Sequence, residues 1–131
     1  MNYVLAHLVG DFLIQNDWMA KGKKTSNWIC LLHAVTYTIP FWFCGLLWWQ
    51  IGAIMVQHFY QDRWNFVGWF MKVTGKREDG FLGPPMAPWS IIVTDNILHL
   101  LWIAFVVWLP ESGIASFLKA GFGFAMYSFQ W

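Results

Sequence analysis

Seven residues of this 131-residue chain have side chains suited to holding a metal ion or moving a proton: His7, Asp11, His33, His58, Asp62, Asp95 and His99. Six of them form three pairs, His7/Asp11, His58/Asp62 and Asp95/His99, each four positions apart. Residues at that separation share one face of a helix. For four histidines and seven acidic residues, roughly 0.4 such pairs are expected by chance at this helical spacing. His33 is the one histidine outside a pair, and all four histidines fall in apolar segments rather than polar loops.

Imidazole nitrogens together with carboxylate oxygens suit Zn²⁺ or another divalent transition metal. Ligands three or four residues apart on facing helices are how metal sites are built inside helical bundles. Seven ligands exceed the needs of one tetrahedral ion. They fit two ions with open positions, or one ion with an outer layer of carboxylates. Paired ions polarise a phosphoryl or carbonyl oxygen and generate hydroxide near neutral pH. An aspartate among Asp11, Asp62 and Asp95 that is free of metal would serve as general base. A single His–Asp pair is more simply read as a proton relay or a structural hydrogen bond. Seven such groups together favour a divalent ion, Zn²⁺ first, because burying each of them is costly.

The elements that must carry these residues are apolar. The chain is 58% hydrophobic and 11% charged and contains 11 Trp, against about 25% charged residues in an ordinary soluble domain. Its net charge of +1 lacks the basic footprint of a nucleic-acid-binding protein. Cys30 and Cys44 share one apolar run and read as small buried side chains. No cleavable leader is expected, because the first apolar stretch lacks a basic start and is interrupted by His7 and Asp11.

Residues 2–16 read as a short helix entering a bundle, followed by a polar loop with Lys21, Lys23 and Lys24. Residues 28–49 read as a spanning helix kinked at Pro40, and residues 48–52 as an interfacial turn. Residues 53–72 form a weaker span, residues 73–88 a loop, and residues 90–109 a clear span carrying Asp95 and His99. Residues 114–131 are an apolar C-terminal segment whose course the pattern leaves open. The expected fold is one all-α domain: a polytopic helical membrane protein with about four transmembrane or membrane-embedded helices plus that tail. Lys21, Lys23, Lys24, Lys72, Lys76 and Arg77 cluster in or beside two loops. The positive-inside rule then puts those loops in the cytoplasm and the N-terminus outside. The three lysines of the first loop read as topology determinants and a contact for anionic lipid. Gln15, Gln61 and Asn96 read as outer-sphere donors or ordinary interhelical hydrogen bonds.

The run His7-Leu-Val-Gly-Asp11-Phe-Leu-Ile-Gln15, then Asp17-Trp-Met-Ala-Lys21 and His33, resembles a family of small bacterial and phage integral membrane proteins of unknown function. His58-x3-Asp62 and Asp95-Asn-x2-His99 resemble its later polar positions, with Asn96 standing where Gln is usual. The resemblance implies a helical membrane protein without a settled activity. More distantly, the pattern is similar to inner-membrane proteins classed as metal-dependent hydrolases.

Two functions follow as expectations. The first is a membrane-embedded metal-dependent hydrolase acting on a lipid-like or amphiphilic phosphoester or amide. The alternative is a non-enzymatic small subunit or ion- and proton-handling protein, packed against partner membrane proteins or its own copies. Both take the lipid bilayer as surroundings and neither involves nucleic acid. The metal reading requires the His nitrogens and Asp oxygens to converge on one volume.

Overall fold

The computed structural model describes residues 1–109, which form six α-helices and no strand. The C-terminal segment expected at residues 114–131 lies outside the described residues.

Helix α1 (Tyr3–Leu8) starts where the Asn2 side chain accepts the Val4 N–H at 2.8 Å. It runs directly into a π-helical turn, Val9–Ile14. Asn16 caps α2 (Asp17–Gly22) and Ser26 caps α3 (Asn27–Thr38) in the same way. The chain of α3 tightens into a 3₁₀ segment, Ile39–Cys44, at Pro40, which has no N–H to continue an α ladder. Gly45 then turns the chain in the left-handed region, φ 73°. Helix α4 (Trp48–Arg63) and helix α5 (Phe66–Val73) are separated at Trp64 and Asn65, where the backbone leaves the helical region. Helix α6 (Trp89–Trp108) follows a long loop.

These boundaries correct the expectation of a polytopic bundle with about four spans. Among the described residues one helix, α6, is long and apolar enough to cross a membrane. Residues 28–49 do not make one kinked span: Pro40 ends the α-helix after 12 residues, only about 18 Å. The second expected span, residues 53–72, breaks at Trp64 into α4 and α5. Trp48-Trp49-Gln50 is the first turn of α4 rather than an interfacial turn, with the Gln50 side chain accepting the Leu47 N–H at 3.0 Å. The first segment is as short as its sequence suggests, residues 3–14.

Helix α4 lies at the centre, packed against α3, α5 and α6, while α1 rests on the 3₁₀ segment. Ala6, Tyr37, Phe41, Ile51, Ile54, Ile103 and Val106 form the apolar core. Beside it the interior is polar: His7, Asp11, His33, His58, Asp62 and His99 are all buried. The outside is correspondingly apolar, with Leu13, Trp28, Phe43, Trp48, Trp89 and Trp108 each at least 70% exposed. Soluble monomers rarely expose such continuous apolar area.

The π-helical turn approaches α3 closely at Gly10, where a Cβ would sit 2.5 Å from the Tyr37 ring and 2.8 Å from its carbonyl oxygen. The carbonyl cannot rotate away without unwinding α3. Gly10→Ala is therefore expected to destabilise the fold by about 1–3 kcal/mol, the usual cost of overpacking. Thermal unfolding in detergent measures it, and an unchanged midpoint would contradict this packing.

Candidate metal centre

Four elements aim polar side chains at one point. His58 and Asp62 lie one turn apart on α4, His33 comes from α3, and Asp95 and His99 come from α6. Asp11 comes from the π-helical turn, a conformation often found where a helix presents a functional side chain.

The tightest group is Asp11, His33, His58 and Asp62, all buried, with their ligand atoms within 4.8 Å of one another. His33 Nε2 and His58 Nε2 are 3.0 Å apart. Asp62 Oδ2 is 3.2 Å from His33 Nε2 and 3.1 Å from His58 Nε2. Asp11 Oδ1 is 3.3 Å and 3.4 Å from the same two nitrogens. A tetrahedral ion bonded at 2.0–2.1 Å has ligand–ligand edges of about 3.3–3.4 Å. The five separations fall within a few tenths of an ångström of that edge, so two nitrogens and two oxygens can hold one ion.

A second group, Asp62, Asp95 and His99, shares Asp62 with the first. His99 Nε2 lies 4.0 Å from Asp62 Oδ1 and 3.8 Å from Asp95 Oδ1. Asp62 thus turns one carboxylate oxygen to each group. The looser group is also the more accessible, the Asp95 side chain being 28% exposed. A chain of amides orients it. His99 Nδ1–H donates to Gln57 Oε1 at 3.3 Å, Gln57 Nε2 donates to Gln61 Oε1 at 2.6 Å, and Gln61 Nε2 donates to Asp95 Oδ1 at 2.8 Å. Fixing the proton on His99 Nδ1 leaves Nε2 as a lone pair, buried and without a hydrogen-bond partner.

His7 stands apart from both groups. Its Nε2–H donates to Asn96 Oδ1 at 3.0 Å, and its Nδ1 accepts from the Tyr37 hydroxyl at 2.8 Å. With both ring nitrogens engaged, His7 acts through its neighbour Asp11, 3.4 Å away. The structure therefore brings six of the seven sequence-identified residues together as candidate ligands and gives the seventh a bracing position.

Two further participants are not legible from residue spacing. Tyr37 is fully buried, stacked on His58 with ring centroids 3.6 Å apart, and burial pushes its hydroxyl well above the ordinary phenol range, so it stays a donor. Lys23 places Nζ 2.8 Å from Asp62 Oδ2, its side chain only 14% exposed. Of the polar residues flanking the ligands, Gln61 and Asn96 do bond to the cluster, whereas Gln15 Oε1 is buried without a partner.

Burial alone would favour neutral carboxyls, but His33, His58 and Lys23 overcome it and hold Asp62 well below the usual carboxylate range. Asp11 is lowered likewise against its burial, chiefly by His33. Burial also opposes a charge on His33, yet hydrogen bonds to Asp11 and Asp62 raise its pKa. His7, with weaker compensation, is lowered by burial. The group thus keeps its carboxylates ionised and uses a proton on His33 where a metal would otherwise supply the positive charge.

An apolar groove of about 1050 Å³ adjoins the second group, lined by α4, α5 and α6 residues including Tyr60, Trp64, Trp69 and Phe105. Gln57 and Gln61 form part of its wall, so the amides that orient His99 and Asp95 also face the groove.

The sequence model of the family described as protein of unknown function (DUF3307) matches residues 1–122, and the chain belongs to that family. The family description carries neither a membrane location nor a hydrolase activity. No curated protein and no solved structure matches the chain.

The raised pKa of His33 has a definite sign. Its contribution to metal-free stability is fully present below about pH 6.5, the unfolded-state value, and is lost as pH rises through the higher folded-state value. A metal must displace that proton, so Zn²⁺ affinity climbs over the same window. Thermal unfolding from about pH 7.5 to about 9, above the range in which the unfolded chain protonates His7 that burial keeps neutral in the fold, should therefore show a falling metal-free midpoint and a growing Zn²⁺-induced increase. A Zn²⁺ increment that does not grow with pH would contradict it.

Proposed function

We propose that this member of the DUF3307 family is a membrane-anchored, metal-dependent hydrolase whose two ion positions share Asp62. The substrate class proposed is a lipid-like or amphiphilic phosphoester or amide. The observation that carries the reading is the overlap of the two ligand groups on one buried carboxylate, with ligand separations near a tetrahedral edge.

Asp11, His33, His58 and Asp62 would hold the first ion, and Asp62, Asp95 and His99 the second. Zn²⁺ is the ion best suited to a four-ligand set of nitrogen and carboxylate oxygen. Three protein ligands leave the second position open, as catalytic rather than structural sites do. An ion there would supply a hydroxide near neutral pH and polarise the scissile bond. With Oδ1 turned to His99 and Gln61, Asp95 would keep its other carboxylate oxygen free of the ion and, being partly exposed, would accept a proton there. Asp11 and Asp62 serve as ligands.

Membrane attachment through α6 is supported by its length and by the apolar exterior around the polar interior. Lys72, Lys76 and Arg77 precede α6, which by the positive-inside rule turns its N-terminal end to the cytoplasm. Asp95 and His99 would then lie about 9 and 15 Å along the helix from Trp89, within reach of a substrate in the cytoplasmic leaflet. The groove along α4, α5 and α6 suits the apolar chain of such a substrate, with the Gln57 and Gln61 amides in its wall.

The test is metal analysis of the purified protein, joined to hydrolysis of a chromogenic alkyl phosphoester and a matched amide. Wild type should bind two Zn²⁺, His99→Ala one, His58→Ala at most one, and Asp62→Asn neither. Asp62→Asn activity should fall beyond the roughly 10–100-fold typical of losing an outer-sphere partner. Metal-free wild type purified as a stoichiometric complex with another membrane protein would replace this reading with the non-enzymatic subunit.

A further inference from the structure

Lys23 differs from the other paired cations. Ammonium groups are strongly hydrated and seldom buried without an anionic partner. Lys72 and Arg77 stay in water, pairing with Glu78 and Asp79 at the exposed surface. Lys23 instead reaches inward and meets the oxygen of Asp62 that also faces His33 and His58.

The chain around Lys23 is built to hold it there. Lys23 is the C-cap of α2, its N–H bonded to Met19 O, and Gly22 O accepts both the Thr25 and Ser26 N–H groups. A Cβ at Gly22 would lie 2.5 Å from the Ile29 side chain, so the turn sits against α3. From α4, Arg63 donates to Asn27 Oδ1 at 2.5 Å and to Lys24 O at 2.6 Å. The residue next to Asp62 therefore pins the loop that carries Lys23.

Charge makes the consequence specific. Asp11, Asp62 and Asp95 against one Lys23 leave two negative charges in the cluster. One divalent ion cancels them, and a second leaves an excess of two positive charges. An ion in the four-ligand group would meet the ammonium at Asp62 Oδ2 and drive Nζ off that oxygen, and an anion at the open position, on the Oδ1 side of the same carboxylate, offers it a new partner. A phosphoryl group satisfies both demands, and an uncharged amide satisfies neither.

We infer that Lys23 makes this centre a phosphoryl-binding site, selecting phosphoesters over amides, with the anion held between Lys23 Nζ and the Asp62–Asp95–His99 group. The inference rests on the two-ion reading above and narrows its substrate class.

The protein loaded with Co²⁺ in detergent provides the test, because the visible spectrum reports a ligand entering the ion's coordination. Inorganic phosphate, a long-chain alkyl phosphate and a long-chain alkyl amide of equal length are titrated in turn. Both phosphates should bind and the amide should not. Tighter binding of the alkyl phosphate identifies an amphiphile as the source of the group, and equal binding identifies free phosphate. Lys23→Gln should weaken phosphate at least about tenfold, the scale of one charge-assisted hydrogen bond. It should leave Co²⁺ stoichiometry intact, which a merely structural lysine would not do, and Lys23→Arg should restore part of the affinity. Co²⁺-loaded wild type that binds amide as well as phosphate, or Lys23→Gln that binds phosphate like wild type, overturns the inference alone. Wild type that takes up no metal overturns the two-ion reading and this inference with it.

Discussion

The carboxylate of Asp62 is the point on which the structure turns. One of its oxygens meets two imidazole nitrogens and an ammonium within 3.2 Å, and the other faces His99. A buried carboxylate without partners is expensive enough to shift its own ionisation. Here the partners come from three separate elements, so Asp62 stays charged only while α3, α4 and the α2–α3 turn are assembled. The polar cluster and the packing of the helices are in that sense one interaction. Removing Asp62 would leave Lys23 buried without its carboxylate and His33 and His58 with Asp11 alone.

Meeting that requirement explains the interrupted helices. A straight run through residues 28–49 would carry its C-terminal half away from the α1 contact, whereas Pro40 and the 3₁₀ segment fold Phe41 back into the core. The break at Trp64 and Asn65 ends α4 at Arg63, whose guanidinium holds the loop bearing Lys23. The π-helical turn lets Asp11 reach His33 and His58 while Gly10 lies against Tyr37. Apolar runs long enough to suggest four spans are divided into short helices around a polar centre. Hydropathy sums over such breaks, because Pro, Trp and Asn change it little while changing the backbone decisively.

Much of the cluster was legible in the residues. Three i, i+4 His–Asp pairs in apolar segments imply shared helix faces; α4 and α6 supply two of them, and the third runs from α1 into the π-helical turn. Spacing within one helix says nothing about which nitrogen of which ring faces inward, so His7 looked equivalent to His58. Its tautomer is decided by Tyr37 and Asn96, 30 and 89 positions away. Lys23 was hidden for a different reason: in a loop with Lys21 and Lys24, it has the pattern of a solvated or topology-setting charge. Only tertiary folding separates it from its neighbours. Helix count failed where the signal was compositional, whereas periodicity picked out side chains that the fold brings into two neighbouring groups able to hold a metal ion.

The apolar exterior and the polar interior constrain each other. A fold whose best-buried side chains include four histidines and two aspartates gains less from burying apolar area than an ordinary core does. Large residues such as Trp28, Trp48 and Trp108 remain outside, and water is a poor surrounding for them. The proposed lipid surroundings would remove that penalty and lower the effective dielectric around the cluster, strengthening each charge pairing within it. The same change makes any net charge in the cluster harder to sustain. Metal-free, the carboxylates outnumber Lys23, and the proton on His33 offsets part of the difference. On the proposed two-ion reading, an apolar setting would favour states in which cations and anions arrive together, tying occupancy of the ion positions to an anionic group.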